Sequence, residues 1–512
     1  MNCDARVYQR LCSLLVASVL LAMASISFAA TPNIIFVLCD DLGWTDTSVD
    51  AACLGNASDF YETPNLEALA DSGMCFTAGY TCGANCAPTR AAIFSGQFAS
   101  RKTNNLFNVG SLNRTGRKRV PLKGPPQGQN GEIEIPGEAI TIAESLKAAG
   151  YTTVHIGKYH VGDTKHQCGP LEQGFDFNYG GNHSGGPGGT YFADSKGEFS
   201  KNVSPELDEF ASPGEHLTDA ETDAAIDFLS KTLGQPVFLH LAYHAAHTPI
   251  SGQGRKDLVA KYKEKQKGER HQDPDYAALV EGIDEGVGRI VEYLQQTDDP
   301  RHPGQKLAEN TLIVFTSDNG GREIATENAP LRYQKGEYYE GGIRVPLIVS
   351  CPGLVPAGTT SSTPIYSVDF YTTFLSLADG KLPGDYALDG VDLTPVLKDP
   401  AAKLSRKALY WHFPGYLIGG GRNQRPQSVI RKTSDAHQWK LFYNYEDESW
   451  ELYDLATDIG ESKNVAAVHP KVVHELGQQL HDWLQEVQAP LPTNATTGDT
   501  LSLPKVITNS AT

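Results

Sequence analysis

Pro32-Asn33-Ile34-Ile35-Phe36-Val37-Leu38-Cys39-Asp40-Asp41-Leu42-Gly43-Trp44 is an unbroken apolar run that stops at two adjacent carboxylates. A strand with one wet face alternates apolar and polar residues. A continuous run instead suits a strand covered on both faces, inside a parallel sheet. In open α/β sheets, ligands collect at the carboxyl ends of strands, where Asp40 and Asp41 stand. Side by side, two ionised carboxylates repel, so a hard cation is a natural partner; a plain acidic turn is the alternative. A second run, Thr311-Leu312-Ile313-Val314-Phe315-Thr316-Ser317, leads into Asp318-Asn319-Gly320-Gly321. Asp318 and Asn319 each offer an oxygen, which would complete an oxygen-rich set for Ca²⁺ or Mg²⁺.

Working outward, Tyr151 to His160 reads as a further strand and ends in Lys158-Tyr159-His160. Residues two apart on an extended chain share a face, so Lys158 and His160 could enter one cleft. Pro236 to Tyr243 is another apolar strand and delivers His244 and His247. Helical patterns lie between these strands, at Thr63–Gly73 with Thr63 as N-cap, Ala139–Ala149, Thr218–Leu233, Tyr276–Leu294 and Asp369–Leu377. Strands alternating with helices predict an α/β fold, a large mostly parallel mixed sheet flanked by helices. Near residue 395 the pattern changes to short aromatic-rich strands with turn signals between them, followed by a helix at Lys471–Val487. This predicts a smaller antiparallel sheet plus helix. The expected division is a leader at 1–30, a catalytic domain at 31–395, a C-terminal subdomain at 396–490 and a polar tail at 491–512.

The chemistry-bearing stretch is Cys86-Ala87-Pro88-Thr89-Arg90, continued by Ala91 to Gly96. Proline suits the first turn of a helix because it lacks the N–H that would be unpaired there. A helix starting here puts Cys86 at its positive end, with Arg90 one turn on and reaching back. A buried cysteine at a helix start is the plainer reading. The stretch resembles the signature of the type I, formylglycine-dependent sulfatases, the arylsulfatase-like branch of the alkaline phosphatase superfamily. Asn33 to Gly43, Gly157-Lys158-Tyr159-His160, His247-Thr248-Pro249, Ser317 to Gly320, and Lys335-Gly336 with Glu340 to Pro346 resemble that family's other motifs, in its order. Leu452 to Val465 is similar to a segment of its small C-terminal domain. Tyr159, Tyr333 and Gln334 depart from the common pattern, and the last two bear on the substrate side.

The resemblance implies an activity and a site. Cys86 would be converted to 3-oxoalanine (formylglycine) by a formylglycine-generating enzyme. Asp40, Asp41, Asp318 and Asn319, with the oxygen at residue 86, would hold a divalent cation, Ca²⁺ or else Mg²⁺. Arg90 and His160 would orient the aldehyde hydrate. Lys158 and Lys335 would offset charge on the sulfuryl group. His247, helped by Lys335, would protonate the leaving oxygen, while His244 is read as structural. A hemiacetal sulfate can collapse by elimination, whereas a serine sulfate needs a second hydrolysis. That is the physical reason for an aldehyde.

Composition agrees. The 512 residues carry a formal charge of −18, which excludes the basic footprint of a general nucleic-acid binder. A polyanionic substrate would then need a locally positive cleft. Arg6 and Arg10 precede an apolar run from Leu11 to Ala24, with small residues at Ser27 and Ala29: a secretory signal, too short to span a bilayer comfortably. An exported chain with no stable membrane insertion is expected, in the periplasm, outside the cell or in a lumen. Of nine cysteines, Cys39, Cys53, Cys75, Cys82, Cys168 and Cys351 are available for pairing, with connectivity open. No two CxxC motifs occur, which argues against a structural zinc site.

The substrate expected is a sulfated small molecule or glycan. His412 and the basic loop Arg114–Lys123 are candidates for sugar recognition, against an aromatic strand and a solvated loop. Gly180 to Gly189, with six glycines around Asn182 and His183, reads as a flexible rim of the site. A phosphate or phosphonate ester hydrolase of the same superfamily is the first competing reading. A non-catalytic glycan-binding protein on this scaffold is the second.

Overall fold

The computed structural model describes residues 31–55, 57–107, 112–113, 115–127, 134–381, 384–419, 422–434 and 436–505. The expected signal at 1–30 and Arg114 of the basic loop lie outside them.

Eight strands form the main sheet: β1 Asn33–Cys39, β2 Met74–Phe76, β3 Thr152–Gly157, β4 Phe177–Tyr179, β5 Val237–Ala242, β6 Thr311–Ser317, β7 Leu347–Ser350 and β8 Thr359–Ser361. Their order is β8-β2-β7-β6-β1-β5-β3-β4. β1 is central and parallel to both β5 and β6; only β7 runs antiparallel to its neighbours. All seven residues of β1 are buried. Ile35, Val37 and Cys39 join one core while Ile34, Phe36 and Leu38 join the other. This is the physical meaning of the unbroken apolar run.

Helices cover both faces. Pro64–Asp71, Leu217–Lys231 and Pro274–Gln296 pack on the first face, and Cys86–Ser95, Ile142–Ala148 and Asp369–Leu377 on the second. Thr63 does not cap its helix as expected. Its hydroxyl accepts from Ser48 N at 2.8 Å, and Asp284 of the Pro274–Gln296 helix takes the free N–H groups of Asn65 and Leu66 instead. The predicted strand Tyr151–His160 ends early, at Gly157, whose φ of +89° turns the chain. Lys158 and His160 therefore sit on the turn after the strand, not on one strand face.

The C-terminal strands β9 Leu409–Phe413, β10 Gln427–Thr433, β11 Gln438–Asn444 and β12 Ser449–Asp454 form an antiparallel sheet in that order. The Pro470–Glu486 helix covers it through Val473, Leu476, Leu480 and Trp483. Its core is continuous with Tyr80, Phe98, Tyr338 and Tyr339 of the larger part. Fully buried charges cross this junction: Lys440 Nζ lies 2.8 Å from Glu340 Oε1 and 2.9 Å from Glu461 Oε1. Cys53 and Cys75 form a disulfide, and Cys39, Cys82, Cys86, Cys168 and Cys351 are free and buried. Among the described residues no helix is long and apolar enough to cross a membrane.

Candidate active site

The site forms where neighbouring parallel strands end. β1 and β6 pair in register up to Cys39 and Ser317, so Asp40-Asp41 and Asp318-Asn319 emerge side by side. Asp41 adopts φ +62°, a left-handed conformation rarely taken by residues other than glycine. The β5 end is tied to them, because Asp40 N donates to Ala245 O and Ala246 N donates to Asp40 O. The same loop carries His244 and His247.

Cys86 opens the Cys86–Ser95 helix, with Asn85 as its N-cap. Its Sγ lies 3.3 Å from Asp40 Oδ1, 3.8 Å from Asp41 Oδ1 and 3.1 Å from Lys335 Nζ. Lys158 Nζ donates to Asp40 Oδ2 at 2.6 Å, and Lys335 Nζ to Asp41 Oδ1. Arg90 Nε donates to Asp318 Oδ2 at 2.8 Å, and its Nη1 to the Lys158 carbonyl. Arg90 therefore braces Asp318 and the Lys158 turn, and its Nη2 has no partner. The cluster is sealed except at Lys335 and His247, whose side chains are 16% and 18% exposed. These two residues mark its open side.

Burial sets the protonation states. Burial, together with Asp318 and Asp40, pushes the Cys86 thiol well above its ordinary range, against Lys158 and Lys335. A nucleophilic cysteine needs the opposite shift. Burial also disfavours the Asp41 carboxylate, but Lys335, His247 and Lys158 outweigh it and hold Asp41 ionised. Burial pulls His247 down to about 3 although Asp41 opposes it. His247 Nδ1 donates to Thr248 O at 2.7 Å, which leaves the Nε2 lone pair facing Asp41 Oδ2 at 3.8 Å. His160, at φ +68°, is held neutral by burial and then by Lys158 and Arg90, and neither ring nitrogen has a partner.

Among the other buried atoms without partners are two acceptors of this cluster, Asp41 Oδ2 and Asn319 Oδ1, and one donor, Arg90 Nη2. Burying such acceptors without a bond is costly. One ligand atom each of Asp40, Asp41, Cys86 and Asp318 lie within 4.8 Å of one another. Unpaired oxygens inside a set of carboxylates fit a hard divalent cation.

Two glycines of the glycine-rich stretch stand against His160 and His247, and the reason for them is steric. A Cβ on Gly185 would sit 2.6 Å from His160 Nε2, and one on Gly186 would sit 2.8 Å from His247 Nδ1. Sequence reasoning missed this close approach, which no local pattern announces. His244 is structural, as expected: its Nδ1 pairs with buried Glu221 at 2.6 Å. Tyr333 meets Arg332 and Tyr339, while buried Gln334 ties down Glu323.

His412 is not in the site. It lies on β9, buried, with Ser428 Oγ at 2.7 Å from Nδ1 and Pro490 O at 2.8 Å from Nε2. Both nitrogens are occupied, so it has none to offer a sugar; the aromatic strand buried it. Of the basic loop, Arg117 is drawn to Glu446 and the Tyr416 ring, and Lys118, Arg119 and Lys123 are exposed.

Residues 32–380 match the family model Sulfatase, and residues 332–490 match that of the N-sulphoglucosamine sulphohydrolase C-terminal region. The chain belongs to the sulfatase family and is a sulfuric ester hydrolase. It is 37% identical to a sulfatase of Formosa agariphila over 507 residues, 90% of each chain. It is 30% identical to the mouse N-acetylgalactosamine-6-sulfatase over 457 residues, 85% of this chain and 76% of that one. Among solved structures, it resembles Ps i-CgsB in complex with k-i-k-neocarrahexaose, with TM-score 0.69 and 29% identity, covering 90% of this chain and 94% of that one.

Proposed function

We propose that this enzyme removes sulfate from a sulfated saccharide outside the cytoplasm, with residue 86 acting as formylglycine after oxidation by a formylglycine-generating enzyme. The observation that carries the reading is the seat of Cys86: within 3.3 Å of Asp40 and 3.1 Å of Lys335, beside the unpaired oxygens of Asp41 and Asn319. Asp40, Asp41, Asp318 and Asn319 would hold Ca²⁺, with Mg²⁺ the alternative. The cation would supply positive charge where the nucleophile and the sulfuryl oxygens gather. An aldehyde hydrate at residue 86 would supply an oxygen nucleophile that a buried, protonated thiol does not.

The chain's own side chains have separable tasks. Three carboxylates, Asp40, Asp41 and Asp318, face three cations, Arg90, Lys158 and Lys335. The fixed charges balance, so any dication added leaves positive charge to attract a sulfate monoester anion. Lys158 and Lys335 would hold the sulfuryl oxygens, as fixed cations do for transferring groups. His247 is the proton carrier. It rests neutral, and an anion bound beside it raises its proton affinity, so Nε2 can take up and deliver a proton to the leaving oxygen. His160, wedged by Gly185, would steer residue 86. The N-acetylgalactosamine-6-sulfatase relatives and the saccharide in the Ps i-CgsB complex support a glycan substrate, and the basic leader supports export.

Two measurements test this. Mass spectrometry of the peptide containing residue 86, from protein matured in its host, should show the aldehyde in place of the thiol. The same protein should release sulfate from defined sulfated saccharides; an unmodified Cys86 in an active enzyme would refute the nucleophile.

A further inference from the structure

We propose that Arg322 recognises a second anionic group, a carboxylate or another sulfate ester, on the sugar that leaves. The inference rests on the reading of the Cys86 site given above. Arg322 follows Asn319-Gly320-Gly321 in the chain and reaches the loop that carries His247. Its Nη1 donates to Thr248 Oγ1 at 3.1 Å. The Thr248 carbonyl is the one that fixes His247, and the Gly321 carbonyl accepts from Lys335 N. The guanidinium is therefore bonded to the residue next to the proton carrier, and its backbone follows the carbonyl that receives Lys335.

The side chain is only partly buried and its bonding capacity is mostly unused. A guanidinium offers five N–H donors in a planar fork suited to an oxyanion. Arg322 makes one such bond, to a neutral hydroxyl, and no carboxylate of the described residues pairs with it. Arg90, Arg101, Arg344 and Arg406 each hold a carboxylate. In a chain of charge −18, a cation kept off the protein's own acids is available to an anionic ligand.

The loop is also rigid. The Arg322 carbonyl accepts from Ala325 N at 2.8 Å and Thr326 N at 2.9 Å. Thr326 Oγ1 donates to Asp46 Oδ1 at 2.6 Å, and Asn328 Nδ2 donates to Gly321 O at 3.0 Å. Holding a binding group in place beforehand reduces the ordering cost of recognition. Two residues on, Ile324 is 71% exposed and offers a sugar ring an apolar face.

The test compares wild type with Arg322→Gln on three substrates: a monosulfated N-acetylhexosamine, the same sugar with a second sulfate, and a monosulfated disaccharide whose neighbour is a uronate. The ratio of kcat/KM for the doubly anionic substrates over the singly anionic one should fall at least 10-fold, through KM. The arm that moves identifies the second group as sulfate or carboxylate. Arg322→Lys should recover part of the ratio, since it keeps the charge without the fork. Ratios within twofold of wild type in both arms overturn the proposal. So does an equal loss on all three substrates, which would mean Arg322 acts only through Thr248 on His247. A wild type inactive on every sulfate would sink the underlying site reading as well; an active wild type with unmoved ratios sinks this inference alone.

Discussion

Lys335 Nζ stands 3.1 Å from Cys86 Sγ although 249 residues separate them in the chain. The same ammonium is bonded to Asp41, so one side chain links the residue to be oxidised with the carboxylate set around it. Cys86→Ser keeps this packing and removes the route to an aldehyde. We expect turnover to fall by at least about 10³-fold, the scale for loss of a nucleophile, with a nearly unchanged melting temperature. Full turnover by the serine variant would remove residue 86 from the chemistry.

The unpaired oxygens of Asp41 and Asn319 make cation binding a stability question as well. Chelation should lower the melting temperature and abolish sulfate release, and added Ca²⁺ should restore both. At 100 times its dissociation constant a ligand stabilises by about 2.7 kcal/mol. Asn319→Ala should erase this thermal response; a response kept in full would mean the ion binds elsewhere.

Gly185 tests whether the rim positions His160. An alanine methyl there would lie 2.6 Å from His160 Nε2, so the buried ring has to move. A displacement near 1 Å can cost about 10²-fold in rate, and Gly185→Ala should lose about that much. Gly189→Ala meets nothing within 4 Å and should behave as wild type. Equal activity in the two variants would show that the wedge has no role.

The pH dependence of stability follows from opposed groups. Burial pulls His155 down to about 3 and His216 and His412 to about 4. The unfolded chain binds their protons first, so they cost stability as pH falls from about 6.5 toward those values. Burial raises Asp284 to about 6 and Glu461 to about 7. These act in the other sense, since their stability is fully present at low pH and lost as pH rises through those values. Between roughly pH 6.5 and 4.5 the two sets offset each other. Below that only the histidines and the depressed acids remain. Among the latter, burial disfavours the Glu340 carboxylate, but Lys440 and the neighbouring arginines hold it down to about 2. Melting temperatures measured across pH should therefore fall most steeply between about 4.5 and 3. A loss already complete by about pH 5.5 would contradict the balance.

Much of this was legible in the sequence because the chemistry sits where unbroken apolar runs stop. Asp40, Asp41, Asp318 and Asn319 end two strands, and parallel register does the rest. The doubly buried sheet and the aromatic antiparallel sheet both follow from residue periodicity. What was not legible depends on contacts across the chain. Nothing near Gly185 announces a histidine ring, and nothing near Thr63 announces that Asp284 will cap its helix. His412 looked available in the sequence because Ser428 and Pro490 are distant in it. Helical spacing points Arg90 toward Cys86, but its ion-pair partner Asp318, 228 residues away, could not be read from it.

Glu340 lies five residues beyond Lys335 and receives Lys440 from the smaller sheet, while its own N–H donates to Glu461 at 2.7 Å. Losing one partner of a buried pair costs about 3–5 kcal/mol. Cutting the chain near residue 395 would thus do more than shed an accessory module. It would strip Lys440 from Glu340 and leave Arg344 as that buried acid's remaining cation, at the foot of the loop that carries the lysine.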